Sequence, residues 1–320
     1  MSTTSLLLDD LLALRQVTPP SSADLSFIQG DTQGPFASRY RGHGIDFDDL
    51  RQYYPGDDIR RIDWKVTARH QQTMSRLFRE ERDSTITFAV DLRTVMRTGT
   101  NTLRAVSAGK LAAALAWHAV SRGQRVATLA LTDNVLHHTL PTPGESGALR
   151  VCRTLCDAFS TEPSSESPLT LTTLIDGILS GGRHLGSTAL ITGFDDFFDK
   201  SLTTKIEKDI TVLQSKHRRH AQTMCLLQIL DNADTKALPT GRYSYRVAST
   251  TPSRSQNKAF LRNLYTPQRQ ALSEALKGQI QRVIKFCDSN GVPCINHTGP
   301  TTNQSITQII AQLTHTGVLK

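Results

Sequence analysis

The chain is 320 residues long, 38% hydrophobic and 21% charged, which fits a globular protein of one large or two ordinary domains. Its net charge of +8 and isoelectric point near 9.4 admit an acidic partner such as nucleic acid, an anionic membrane face or an acidic protein. Aromatics are only 6% and are not interleaved with basic patches, which argues against a base-stacking platform, and no apolar run approaches the about 18 residues of a membrane span.

In chain order, Leu6, Leu7, Leu8, Leu11, Leu12 and Leu14, interrupted by Asp9 and Asp10, predict an amphipathic helix over residues 1–16. It is too short and too acidic for a signal peptide or a span. Thr18 to Ser22 reads as a Pro/Ser linker, and Leu25 to Arg41 as polar, Gly-rich text with short strands. Met74–Glu81 and Ser84–Asp91 are expected to be extended, the second entering a buried sheet. Helices are then predicted over Leu103–Arg122, Gly144–Phe159, Leu174–Leu179, Lys200–His217, Pro267–Asn290 and Asn303–Thr314. Strands are predicted over Arg125–Leu131, Ser187–Thr192, Gln222–Leu230, Tyr243–Ala248 and Val292–Asn296. Strands alternating with helices of this length imply right-handed crossovers and an α/β fold with a doubly wound, mostly parallel sheet. The expected division is a helix and linker over 1–22, a smaller β-rich module over 23–83 and the α/β domain over 84–320.

Gly42 to Trp64, GHGIDFDDLRQYYPGDDIRRIDW, is the stretch densest in special chemistry. Asp46, Asp48, Asp49, Asp57, Asp58 and Asp63 stand beside Arg51, Arg60 and Arg61. Pro55-Gly56 predicts a turn, and Asp57 and Asp58 stand where a carboxylate accepts backbone N–H groups at the start of a short helical turn, Asp58–Arg61. Charges beside Ile59, Ile62 and Trp64 predict partly buried pairs, because charges are not buried alone. Two readings stay open. The stretch is a carboxylate cluster for a divalent cation or a recognition surface, or it is an Asp/Arg-stapled loop locking the two modules together. Ion-pair networks are the commoner of the two.

Gly44-Ile45-Asp46-Phe47-Asp48-Asp49-Leu50-Arg51, then Tyr53 to Arg69, resembles the signature of a bacterial family known as domain of unknown function 58. Phe78-Arg79-Glu80-Glu81-Arg82 and the strand ending in Asp91 continue that family's order. Beyond Asp91 the likeness is to the general von Willebrand factor A architecture. The resemblance implies an accessory or adaptor protein in protein maturation or complex assembly, working with a MoxR-type AAA+ ATPase and a client protein. Many relatives carry transmembrane helices ahead of the signature; here none is expected.

A von Willebrand A fold implies a metal-ion-dependent adhesion site at the carboxyl edge of the sheet, opened by Asp-x-Ser-x-Ser. The matching text is Asp91-Leu92-Arg93-Thr94-Val95, with Arg93 and Val95 where the hydroxyls belong. A guanidinium cannot ligate a cation and repels one. The second element falls on Thr172 or Thr173, and the third on Thr192-Gly193-Phe194-Asp195-Asp196, with its carboxylate displaced. The expectation is a degenerate site, Asp91, Thr172 and Asp195, for which Mg²⁺ would be the ion. The bland alternative is that Arg93 replaces the cation and pairs with Asp91 or Asp195.

Other motifs are missing: no P-loop, dinucleotide fingerprint, His-Glu-x-x-His or nucleophile elbow occurs. Cys152 and Cys156 share a helical face and read as core thiols; Cys225, Cys287 and Cys294 complete an odd, scattered set. With no secretory leader, they predict reduced thiols and a cytoplasmic location. His137-His138, His217 and His220 read as surface histidines, Lys216–His220 as a solvated helix end, and Trp64 and Trp117 as core anchors. The reading is a non-enzymatic adaptor with no cofactor, whose interface is the signature Asp46, Asp48, Asp49, Arg51, Pro55, Gly56, Asp57, Asp58, Arg60, Arg61, Asp63 and Trp64. The alternatives are a metal-dependent hydrolase using the carboxylates between residues 46 and 63, or a nucleic-acid binder driven by the basic charge.

Overall fold

The computed structural model describes residues 4–17, 41–54, 59–70, 72–79, 84–161, 169–181, 186–235, 242–245, 260–263 and 266–319. The chain divides into a larger unit, Met1–Pro19 with Ser84–Lys320, and a smaller one, Pro20–Asp83. The leading helix α1 (Leu8–Ala13), continued by a 3-10 turn over Leu14–Val17, belongs to the larger unit. The short strands expected over Leu25–Arg41 fall almost wholly outside the described residues.

In the smaller unit, β1 (Arg41–Gln52) pairs antiparallel with β2 (Met74–Arg79), after a 3-10 turn over Ile59–Arg61 and helix α2 (Trp64–His70). The register is regular from Leu50↔Arg76 to Gln52↔Met74 and shifts between Phe47 and Asp49, a two-against-one irregularity of the bulge kind. Tyr53 N–H donates to Thr73 O at 2.7 Å and Asp63 N–H to Met74 O at 2.9 Å, so both ends of the connection are tied to the ribbon. The first half of the signature is therefore a strand.

The larger unit continues with β3 (Thr85–Asp91), α3 (Arg104–Ser121), β4 (Arg125–Leu131), β5 (Leu136–His138), α4 (Gly144–Ser160), α5 (Leu171–Gly181), β6 (Ser187–Thr192), α6 (Lys200–Arg219), β7 (Met224–Leu230) and α7 (Asn232–Thr235). Two further strands, β8 (Arg242–Tyr245) and β9 (Phe260–Asn263), pair only with each other. Then come α8 (Thr266–Asn290), β10 (Cys294–Thr298) and α9 (Asn303–His315). The six-stranded sheet has the order β10-β7-β6-β3-β4-β5, parallel except for β5. The strand expected over Tyr243–Ala248 is thus not part of this sheet. No described helix is long and apolar enough to cross a membrane.

The parallel strands are near-continuous apolar runs because both faces of the sheet are covered. Ile86, Phe88 and Val90 of β3 face a core built with α1, α3, α4 and α9. Ala89, with Leu190 and Leu226 of neighbouring strands, faces one built with α5, α6 and α8. Helix α3 is buried almost all round, which its run of alanines permits. A Cβ on Gly109 would stand 2.7 Å from a Leu6 methyl, so the N-terminal segment packs directly onto this helix. Trp117, 4% exposed, donates to Leu11 O at 3.1 Å across the same contact, as a core anchor should. From β3 the chain moves first to β4 and then back across to β6. The loops after β3 and β6 therefore leave toward opposite faces, which makes the carboxyl ends of those two strands the topological switch point of the sheet.

Candidate functional site at the carboxyl rim of the sheet

Asp91 closes β3 and is 0% exposed. The Arg93 backbone N–H reaches back to Asp91 Oδ1 at 3.2 Å, and this local turn aims the guanidinium at the same carboxylate. Arg93 Nε donates to Oδ1 at 2.9 Å and Nη2 to Oδ2 at 2.7 Å, a two-pronged pair that fits the planar fork of arginine. Nη1 turns the other way, to both oxygens of Asp196 at 3.1 and 3.0 Å and to Leu169 O at 3.0 Å. Asp196 Oδ2 also accepts the Leu171 N–H at 2.6 Å, at the first turn of α5, and Thr192 Oγ1 donates to Asp91 Oδ2 at 2.8 Å. One guanidinium thus joins the ends of β3, β6 and α5.

Burial alone would raise the Asp91 carboxyl, but the Arg93 charge and the hydrogen bonds from Arg93 and Thr192 outweigh it and hold it below the usual range. Burial alone would lower Arg93, but Asp91 and Asp196 hold it above its ordinary value. Asp195 behaves differently. It pairs with Arg104 Nη2 at 2.9 Å, yet its Oδ2 is buried without a hydrogen-bond partner. Burial raises this carboxyl and the nearby Asp91 charge adds to that, against the opposing pull of Arg104 and Arg93. The sequence reading offered Asp91 or Asp195 as partners of Arg93; the structure selects Asp91 and Asp196. Phe194 supplies the reason. It adopts φ +59° and opens a 3-10 turn over Asp195–Phe198, and the two consecutive carboxylates then face different arginines.

The rest of the rim is equally occupied. Asp133, just past β4, accepts the Thr94 N–H at 3.0 Å and the Thr94 hydroxyl. Asp231, after β7, accepts Thr100 N–H and Oγ1, both at 3.0 Å. Thr172 is buried, and its hydroxyl meets Thr170 Oγ1 at 2.6 Å. Of the expected metal set, Asp91 is held by Arg93, Asp195 by Arg104, and Thr172 by its neighbouring threonine. Among the described residues no three His, Cys, Asp or Glu side chains are grouped to hold a metal ion. A rim of this kind offers a fixed polar relief, with its carboxylates already engaged by internal donors.

The signature gives a second set of residues. Asp46, Asp48, Asp49 and Arg51 lie on β1, where Asp46 registers with Arg79, Asp49 with Leu77 and Arg51 with Ser75. Pro55, Gly56, Asp57 and Asp58 lie outside the described residues, as does the side chain of Arg61. Asp63 accepts the N–H groups of Lys65 and Val66, each at 3.1 Å, the pattern of an N-cap for α2. Arg60 is exposed. Trp64 is 66% exposed and Ile59 is exposed as well, so the core role expected of Trp64 is overturned.

The family described as Protein of unknown function DUF58 matches residues 49–266. The chain belongs to this family. The match begins within β1 and ends at the start of α8, so the DUF58 region takes in the later part of the signature and most of the parallel sheet. No curated protein matches the chain. Among solved structures it is similar to the conserved hypothetical protein BatB from Bacteroides thetaiotaomicron, at 13% identity over 73% of this chain and 98% of that one, with a TM-score of 0.41.

Sequence reasoning missed Asp196 as the second partner of Arg93, and Arg104 altogether. Arg104 opens α3 and is buried, donating to Val95 O at 2.9 Å as well as to Asp195. A charged residue heading an alanine-rich helix was the signal for it. The histidines also divide: His217 is buried, bonded to Thr188 Oγ1 and Leu213 O at 2.9 Å each, and is not a surface residue of a solvated helix end. His137 is part-buried, with its Nε2 enclosed and unpartnered. Cys152 is a core thiol as expected, pushed up to about 12 by burial; Cys156, half-buried beside the same core, is pushed up to about 11.

Proposed function

We propose that the chain is a non-catalytic adaptor whose α/β unit is von Willebrand factor A-like, with the rim cation replaced by an internal guanidinium. The observation that carries this reading is Arg93 donating to Asp91 and Asp196 at once, in the space between the strand ends where oxygen ligands would converge on an ion. A bound Mg²⁺ needs open oxygen ligands; here the carboxylates are spent on a group that cannot exchange. Partner binding at this rim is then independent of divalent cations. The family resemblance supplies the partner class: a MoxR-type AAA+ ATPase and a client protein in the cytoplasm, met through the signature face that carries Trp64 and Arg60.

The test is capture with the tagged full chain, with and without ATP, alongside calorimetric titration with Mg²⁺ and Mn²⁺. The expected result is co-purification of an AAA+ ATPase and no cation heat. Cation binding joined to phosphoester turnover would overturn the reading in favour of a metal-dependent hydrolase.

A further inference from the structure

Of the eight large apolar side chains exposed among the described residues, three lie between residues 54 and 64: Tyr54, 58% exposed, Ile59, 64%, and Trp64, 66%. The other five are spread between Leu7 and Val212. Apolar side chains exposed singly need no explanation, whereas a cluster marks a surface that something covers. The backbone of the smaller unit brings these three to one end of the ribbon. Ser75 of β2 registers with Arg51 of β1 on one edge and bridges to Ile62 on the other. β2 is therefore the middle strand here, and Ser75 is buried accordingly. Tyr53 N–H donates to Thr73 O and Asp63 N–H to Met74 O, so the residues preceding Tyr54 and Trp64 flank consecutive positions of the β2 segment. With neighbouring strands about 4.8 Å apart, those two backbones stand about 10 Å from each other across it. Ile59 opens the 3-10 turn that leads back into the same bridge.

The exposed charge on this stretch has one sign. Arg60, Lys65 and Arg69 are exposed, and Lys65 and Arg69 stand four residues apart on α2, neighbours on one side of the helix. The one acid between residues 59 and 70 is Asp63, half-buried and accepting the Lys65 and Val66 N–H groups as the cap of α2. We propose that this face, with Tyr54, Ile59 and Trp64 as its apolar contacts and Arg60, Lys65 and Arg69 beside them, docks an acidic protein segment that carries leucine-like side chains between its carboxylates. The proposal rests on the adaptor reading above and gives the partner's docking segment its chemistry. Cations beside apolar side chains are complementary to acids flanking apolar anchors, and Trp, Tyr and Arg are the residues on which such contacts concentrate their binding energy. A nucleic-acid strand would satisfy the cations but offers no aliphatic side chain to Ile59. It also stacks on aromatic platforms, whereas Tyr54 and Trp64 follow segments on opposite edges of β2.

The test uses Trp64 as its own reporter. The chain has two tryptophans, and Trp117 is buried, so the fluorescence open to acrylamide quenching is that of Trp64. The full chain is titrated with a synthetic peptide of repeating Glu-Glu-Leu, with the same peptide carrying Lys for Glu or Ser for Leu, and with oligothymidine. The expected result is a blue shift and protection from acrylamide with the Glu-Glu-Leu peptide alone, weakened about tenfold in Lys65→Glu/Arg69→Glu and weakened by added salt. No protection by that peptide, equal protection by the Lys or Ser peptide, or stronger protection by oligothymidine overturns the proposal. The wild-type titrations decide this whether or not the variant folds. Capture of an AAA+ ATPase by the charge-reversed chain as strongly as by the wild type removes this face and leaves the adaptor reading standing. Peptide protection without capture of any ATPase removes that partner and upholds the face.

Discussion

Replacing Arg93 with methionine removes the guanidinium but keeps most of the side-chain volume. Asp91 loses its bonds at 2.9 and 2.7 Å and keeps only the Thr192 hydroxyl and one backbone N–H; Asp196 and Leu169 O lose their shared donor. Breaking a buried pair on one side costs about 3–5 kcal/mol, because the remaining charge is stranded. The larger unit should therefore unfold in urea at a much lower midpoint with an unchanged slope. The pH dependence carries a sign. In the wild type the Asp91 carboxyl lies below its ordinary value of 3.8, so its stabilisation is present above that pH and is lost as pH falls through the lower folded value. Without Arg93, burial raises the folded value above the unfolded one, and the cost is then largest at high pH and relieved on acidification. The deficit of Arg93→Met should thus shrink between about pH 7 and about pH 4.5, and Asp91→Asn in the same chain should recover much of it. A loss below about 1 kcal/mol, the range of an exposed ion pair, would refute the account of Arg93 as a buried bridge.

Arg93→Ser restores a hydroxyl where an adhesion site has one; Mg²⁺ is expected to raise the melting temperature of this variant and not of the wild type. His118, 2% exposed on α3 with neither ring nitrogen hydrogen-bonded, is lowered by burial to about 4 from 6.5. The unfolded chain binds the proton first, so stability should fall as pH drops from 6.5 towards 4, and His118→Leu should flatten part of that slope in pH-dependent melts. A Cβ on Gly193 would lie 2.5 Å from Arg104 Nη1 and 2.6 Å from Asp195 Oδ2, so Gly193→Ala should cost about 1–3 kcal/mol in urea unfolding. Trp64→Ala should change stability by no more than about 0.5 kcal/mol, as for an exposed side chain, while reducing capture of the partner; a large drop in melting temperature would place the indole in a core after all.

The sequence by itself determined what local chemistry determines. The runs Arg125–Leu131 and Ser187–Thr192 were legible to the residue, because a strand buried on both faces shows no alternation and carries no charge beyond its first residue. Arg93 was legible as a counter-charge, since a guanidinium has no lone pair to offer a cation. Tertiary structure decided which groups meet. Asp195 and Asp196 are adjacent and identical in type, and only the left-handed Phe194 and the turn after it send one to Arg104 and the other to Arg93. β1 is a strand because β2 lies beside it, despite a sequence crowded with aspartates. β5, three residues long at the sheet edge, is held by its pairing with β4 and has no length to show a period. Trp64 and His217 exchanged their expected places for the same reason: exposure belongs to a residue's neighbours in space, and hydrophobicity along the chain records only what the residue would prefer.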